Sequence, residues 1–395
     1  MSSFVPNAGL LVTGEAMKNA FQAGYVVELS LQARALGWES PFRVVIGSSS
    51  GSLAAVVAGT GEPLDHDLAL RFSRKFTEDL RPRAFLENPL QGRWELPYRA
   101  VLEGILEDQK LLNWEKAYAS PAMIVIVATH VDLRRASESW GDRFRVLADG
   151  VQRSLGGEDV SFLDVAGRIA ELSAAGASGL LTPCYFSTKP WPADAARPEP
   201  EGWRVLTSPE ELKKAVLAST RIPPFTGMPV RFDDLVLIDG AWSDNVPAWI
   251  APALGLESFF IVDCTHKGKL YQRPIGDYVR RQARAVLSGA SRATEWVEQL
   301  APRIPLGGAE RWLQGIHDFT PRPEPIDLGE IERNSEGLRI FEDHLPADSP
   351  NPYRFIAPKP EVVDRLYRLG VERAKTRAAD LPNPRGVPSR IRKYT

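Results

Sequence analysis

Short apolar runs alternate with stretches of helical periodicity along the chain, the pattern of a parallel sheet whose strands are joined by crossover helices. Gly9 to Thr13 reads as a first strand, followed by a helix that ends near Ala35. Arg43 to Ile46 reads as a second strand, and Leu53 to Val57 lies on a helix that Gly59 can end. Met123 to Ala128 is a near-continuous apolar run, as a strand buried on both faces should be. Leu180 to Phe186, Leu235 to Ile238 and Phe259 to Val262 supply further strands. Residues 64–120 carry polar and aromatic helical stretches rich in Arg, Trp and Pro, and read as a helical cap inserted over the core. Trp94 and Trp114 within it read as cap or core packing, in preference to the lining of a ligand channel. Between Pro190 and Pro209 five prolines mark a surface loop. From Val279 to Leu300 apolar residues fall at helical spacing, which is most simply a core-facing stripe. The segment from Thr320 to Ile326 is Pro-rich and extended, and a last helix runs from Pro360 to about Ala379. Residues 381–395 read as a loose basic tail.

Composition narrows the class. The chain has 395 residues, 44% apolar and 25% charged, enough for one large α/β core with an insertion or for two domains. Its net charge of −2 provides no overall field for nucleic acid, so no nucleic-acid partner is expected. With only Cys184 and Cys264, a disulfide framework is excluded by number, and each reads as a small buried thiol. Met1 to Pro6 lacks a basic, apolar and cleavable leader, and no run reaches the ~18 apolar residues of a membrane span. The expectation is a cytoplasmic location.

Chemistry enters at Gly47-Ser48-Ser49-Ser50-Gly51, which fits G-x-S-x-G with Ser49 at its centre. Alone, such a run also suits a phosphate-binding turn. Here a β-branched strand runs into it and an Ala/Val helix leaves it, the context of a nucleophile elbow. Gly47 and Gly51 allow backbone to pass close to the serine, and the helix N-terminus directs positive charge to where an oxyanion would form. A serine nucleophile needs a base. Five histidines are present, of which His317 and His344 are late enough for a triad. The elbow, however, follows only the second strand, too early for the α/β-hydrolase order. Ile238-Asp239-Gly240-Ala241 offers the alternative, an acid at the end of an apolar strand followed by glycine. If both residues lie just past strands of one open parallel sheet, Ser49 and Asp239 share an edge.

Gly47 to Gly51, Ala218-Ser219-Thr220-Arg221-Ile222-Pro223, and Asp239-Gly240-Ala241 with Asn245-Val246-Pro247 occur in that order. Together they resemble the patatin-like phospholipase family, and Thr13-Gly14 through Lys18 to Gly24 is similar to that family's glycine-rich first loop and helix. The resemblance runs from Leu10 to Pro247 and includes the final helix. It implies a three-layer α/β/α fold with a central, mainly parallel sheet, and a single domain over residues 1–380. It further implies hydrolysis of phospholipids, lysophospholipids or related acyl lipids, without metal or other cofactor. Ser49 would then attack the acyl carbonyl and Asp239 would accept its proton. Backbone N–H groups of Gly14, Glu15 and Ala16 would hold the oxyanion.

One departure bears on activity. Glu15, Ala16 and Asn19 stand where the family carries glycine, and Glu15 brings a carboxylate that Lys18 could pair. This motivates two alternatives: a degenerate member that binds acyl lipid or a protein without turnover, and a transacylase. Between Lys267 and Arg292 seven basic residues face one acid, Asp277. Arg280, Arg281 and Arg284 therefore offer a peripheral contact with anionic head groups, although a solvated face is the commoner meaning of such a run.

Overall fold

A computed structural model of the chain describes residues 6–14, 18–38, 40–60, 65–78, 98–108, 112–132, 181–221, 229–264, 325–346, 349 and 360–381. Glu15, Ala16, Trp94, His266, His317, the stripe from Val279 to Leu300 and the basic segment with Arg280, Arg281 and Arg284 lie outside the described residues. So do residues 320–324 and the tail from Pro382.

The centre is a mainly parallel sheet. Strands β1 (Ala8–Val12), β2 (Val44–Ser48), β3 (Met123–Val131), β8 (Ser258–Asp263) and β9 (Arg339–His344) run parallel in the spatial order β3-β2-β1-β8-β9. Their Val, Ile, Leu and Phe side chains fit a pleat covered on both faces, and β1, β2 and β8 are buried at every position. Beyond β3 the order continues with β4 (Leu181–Ser187), antiparallel to β3, and β5 (Trp203–Val205), parallel to β4. The strand expected over 180–186 is therefore present. The expected loop from Pro190 to Pro209 is interrupted by β5.

Helices cover both faces, giving three layers. On one face lie α1 (Asn19–Ala35), α2 (Gly51–Gly59) and α9 (Pro360–Arg377), joined by Phe21, Tyr25, Ala55 and Leu366 over Leu10, Val45 and Phe260. The same layer extends over β3 through α4 (Tyr98–Leu106), α5 (Trp114–Tyr118) and α6 (Pro209–Ser219). On the other face Ile250 and Ala251 of the short α7 (Ile250–Ala253), with Val246, Leu254 and Leu256, cover Leu11, Ile46, Val125 and Ile261, and Leu328 and Ile331 of α8 (Leu328–Arg333) pack against them. Each fully buried Leu, Ile or Phe contributes about 1.5–3 kcal/mol, so this double burial fixes the register of the strands that carry the site. Within residues 64–120, α3 (His66–Glu78) leans on α1 and α9, and α5 on α6 and α2. Trp114 is buried in that layer and donates its indole N–H to the Leu106 carbonyl at 2.9 Å. Cys184 and Cys264 are buried and form no disulfide. Among the described residues no helix is long and apolar enough to cross a membrane.

One element departs from its expected direction, and it carries Asp239. Strand β7 (Leu235–Asp239) does not join the parallel set; it runs antiparallel to β3, with β6 (Val230–Phe232) antiparallel beside it. The nine-residue β3 is longer than β2, which pairs only with Met123 to Val127. Strand β4 occupies the far side of β3 from Val125 to Val131, so β7, paired to Ala128, Thr129 and His130, lies on the β2 side. Strand β2 thus climbs to Ser48 and β7 descends to Asp239 along the same edge of β3. Their ends meet head-on.

Candidate active site

The turn after β2 is strained in the manner of a nucleophile elbow. Ser49 has φ of +52°, in the left-handed region that costs a non-glycine residue about 1–2 kcal/mol. Its carbonyl is held by the first turn of α2, accepting from the Ser52 N–H at 3.0 Å and the Ser52 hydroxyl at 2.6 Å. Its N–H donates to Ser219 Oγ at 2.9 Å. A side chain at Gly51 would strike the Val12 carbonyl oxygen, 2.2 Å from an ideal Cβ. An ideal Cβ at Gly47 would lie 2.5 Å from Ser52 Cα, so glycine there lets α2 leave at a sharp angle. The start of α2 therefore faces the serine with its positive end.

Ser49 Oγ donates to Asp239 Oδ2 at 2.6 Å, with both residues buried. The other carboxylate oxygen, Oδ1, accepts the Ala241 N–H at 2.9 Å, where Gly240–Trp242 forms a single 3₁₀ turn. Behind it, Thr129 Oγ1 donates to the Asp239 carbonyl at 2.8 Å, and the Asp239 N–H donates to the Arg221 carbonyl at 2.8 Å. Burial dominates the electrostatics of this carboxyl. It pushes the Asp239 pKa from 3.8 up to about 7, against the opposing hydrogen bonds from Ser49 and Ala241. Gly240 presses against the Val127 carbonyl, which keeps the turn tight on β3.

Gly14 lies directly over the serine: an ideal Cβ there would sit 2.2 Å from Ser49 Cβ and 3.0 Å from Oγ. Only glycine lets β1 exit across the nucleophile. The N–H expected to face an oxyanion points elsewhere. The Gly14 N–H donates to Asn245 Oδ1 at 2.9 Å and so is engaged within the protein. Glu15 and Ala16 lie outside the described residues. Lys18, thought of as a partner for Glu15, is buried and donates to the Cys264 carbonyl at 2.7 Å. Asn19 is the first residue of α1, so helical geometry suits it without glycine, and its side chain donates to the Ser50 carbonyl at 3.3 Å.

The described histidines stand elsewhere. His344 lies on β9, three strands from β2 or roughly 14 Å away. Burial would depress its imidazole, but Asp263 at 3.1 Å and Glu342 outweigh that effect and push it up to about 9. Protonated at neutral pH, it is no general base. His66 bridges Glu28 and Tyr367 in the helical layer, and His130 engages the Val236 carbonyl. Among the described residues no cluster of three or more His, Cys, Asp or Glu could hold a metal ion.

Residues that pattern reading had not given a role complete the site: Thr129 behind the acid, Asn245 under Gly14, and Ser219 behind the elbow. Ser219 and Asn245 fell within noted motifs. Helix α6, which delivers Ser219, had a readable start in Ser208-Pro209-Glu210-Glu211. Ser208 caps it by accepting from the Glu211 N–H at 3.2 Å, and Glu211 reaches back to the Thr207 N–H.

The sequence model of the family described as patatin-like phospholipase matches residues 14–252, more than half of the chain and all of the site just described. Among solved structures, the chain is similar to VipD from Legionella pneumophila, with 14% identity over 95% of this chain and 67% of that one. The TM-score is 0.34, a likeness too loose to argue from. No curated protein matches.

Proposed function

The chain belongs to the patatin-like phospholipase family, and from that membership we propose that it hydrolyses ester bonds of acyl lipids through an acyl-enzyme. Ser49 is the nucleophile and Asp239 its base. The observation that carries this reading is the 2.6 Å hydrogen bond from Ser49 Oγ to Asp239 Oδ2. Its direction is that of proton transfer as the hydroxyl attacks an acyl carbonyl, within the reach a general base requires. An ordinary carboxylate is a feeble base toward serine. One moved to about 7 is matched to neutral pH, where enough of it is ionised and its proton affinity is raised.

The first half-reaction forms the Ser49–acyl bond and breaks the ester C–O bond. The proton taken by Asp239 passes to the leaving alcohol. Water, activated by the same carboxylate, then releases the fatty acid. The N-terminus of α2 and the N–H groups of Glu15 and Ala16 favour charge on the acyl oxygen, while Gly14, its own N–H held by Asn245, contributes its missing side chain. Phospholipids and lysophospholipids are the substrate class. The basic segment with Arg280, Arg281 and Arg284 is assigned to head-group contact, which salt-sensitive binding to phosphatidylserine vesicles would support.

Wild type should hydrolyse 4-nitrophenyl butyrate and react covalently with a fluorophosphonate. Ser49→Ala should abolish both while unfolding at the same urea concentration as wild type. A folded Ser49→Ala that keeps the wild-type rate would remove the nucleophile assignment. Wild type that binds lysophospholipid vesicles without hydrolysing either ester would favour the binding-only alternative.

A further inference from the structure

Ser49 and Asp239 come from strands that pair with consecutive residues of β3, Ser48 with Val127 and Asp239 with Ala128, so the β3 ladder brings the two strand ends together but stops one residue short of the Ser49 peptide. A third element takes hold there. The turn that ends α6 contributes Ser219, whose hydroxyl accepts the Ser49 N–H at 2.9 Å and donates to the Val127 carbonyl at 2.6 Å. Two residues later the Arg221 carbonyl accepts the Asp239 N–H at 2.8 Å. One three-residue turn thereby grips the backbone of both partners. Ser219 is without solvent exposure, and all the groups it joins are buried.

We propose that Ser219 is a positioning residue for catalysis, acting as a hydroxyl bridge that holds the elbow peptide so that Ser49 Oγ points at Asp239. The proposal rests on the Ser49–Asp239 reading above and adds to it the means by which the pair is aligned. The physical need is plain. Pairing of β2 with β3 ends at Ser48 and Val127, and the left-handed turn at Ser49 carries its N–H out of the ladder. Without a bridge, that N–H and the Val127 carbonyl would both be buried without partners. The strained turn would then relax, swinging Oγ away from the carboxylate. A serine suits the role because one hydroxyl both accepts and donates. Ser219 touches neither substrate nor the reacting oxygen, and acts through the peptide of Ser49.

The test compares two buried serines. Ser40, at the opposite end of β2, is also without exposure and donates to the Phe42 carbonyl at 2.9 Å, far from the elbow. Ser219→Ala and Ser40→Ala would be assayed with 4-nitrophenyl butyrate and with a fluorophosphonate, rates being expressed per folded molecule from urea unfolding. The bridge predicts that Ser219→Ala lowers kcat by about tenfold or more with KM nearly unchanged, and slows phosphonylation in parallel. Ser40→Ala loses stability but keeps both rates, and Ser219→Thr, which retains the hydroxyl, recovers most of the lost kcat. If Ser219→Ala reacts at the wild-type rate, or if Ser219→Thr is no better than Ser219→Ala while equally folded, the bridge is wrong. Should Ser219→Ala prove too unstable to assay, Ser219→Thr and Ser219→Cys decide: the bridge requires the weaker acceptor, cysteine, to be the slower enzyme, and equal rates overturn it. Ser49→Ala run alongside separates the two ideas. An active Ser49→Ala removes the nucleophile itself, whereas an inactive one beside a fully active Ser219→Ala removes only the bridge.

Discussion

Asp343 and Asp239 are both without exposure to solvent, yet the first faces two guanidinium groups and the second, among the described residues, faces none. Asp343 on β9 accepts from Arg373, from Arg377 at 2.8 Å and from the Tyr25 hydroxyl at 2.7 Å, tying the sheet edge to α9 and α1. Every charge there is answered. Asp239 receives one hydroxyl and one peptide N–H, both neutral. The difference teaches what each carboxylate is for. A compensated buried charge holds elements together, whereas one left with neutral donors stays basic and can take a proton.

The largest effect should come from exchanging the two acids for amides in turn. Asp239→Asn cannot accept a proton and should lower kcat/KM by about a thousandfold or more while folding normally. Asp343→Asn should do the reverse. Its loss leaves two arginines and a tyrosine without their shared anion and lowers stability by about 2–4 kcal/mol in urea, discounted because both arginines are partly exposed. Its activity per folded molecule should match wild type. Equal losses of activity in the two variants would erase the distinction.

A smaller effect follows from linkage. Because folding raises the Asp239 pKa from 3.8 to about 7, the protonated acid favours the folded state. That contribution is complete below the unfolded value and is lost as pH rises through about 7. Wild type should therefore lose about 2–3 kcal/mol relative to Asp239→Asn between about pH 5 and pH 8, as read by urea unfolding at each pH. A constant difference between the two proteins would contradict the burial argument. Smallest of all, His344→Gln should leave kcat/KM within about twofold, since that imidazole is already protonated and distant.

The elbow was readable in the sequence because it is local: a β-branched strand, five small residues and an Ala/Val helix determine the turn within a few residues. The meeting of Asp239 with Ser49 was expected too, but not the route by which it comes about. Parallel-sheet reasoning put Asp239 at a shared carboxyl edge, whereas β7 arrives antiparallel on the overhang of β3. That arrangement depends on β3 outlasting β2 by four residues, Ala128 to Val131, a length that neither strand's composition reveals. Ser219 and Asn245 were visible only as motif letters. Their roles arise from contacts across 170 and 231 residues of chain, and no periodicity encodes such contacts. Gly14 shows the converse case, a residue expected to offer its N–H whose position calls instead for its missing side chain. It is needed for the room it leaves beside Ser49, while its N–H is taken by Asn245.

The central claim, that an uncompensated Asp239 is the base for Ser49, is tested most directly by the pH dependence of kcat/KM for 4-nitrophenyl butyrate from about pH 5 to about pH 9. A single rise to a plateau with an apparent pKa of about 7 is expected, unchanged in His344→Gln. A profile already flat at about pH 5, as an ordinary carboxylate would give, or one whose midpoint moves with His344, would contradict it.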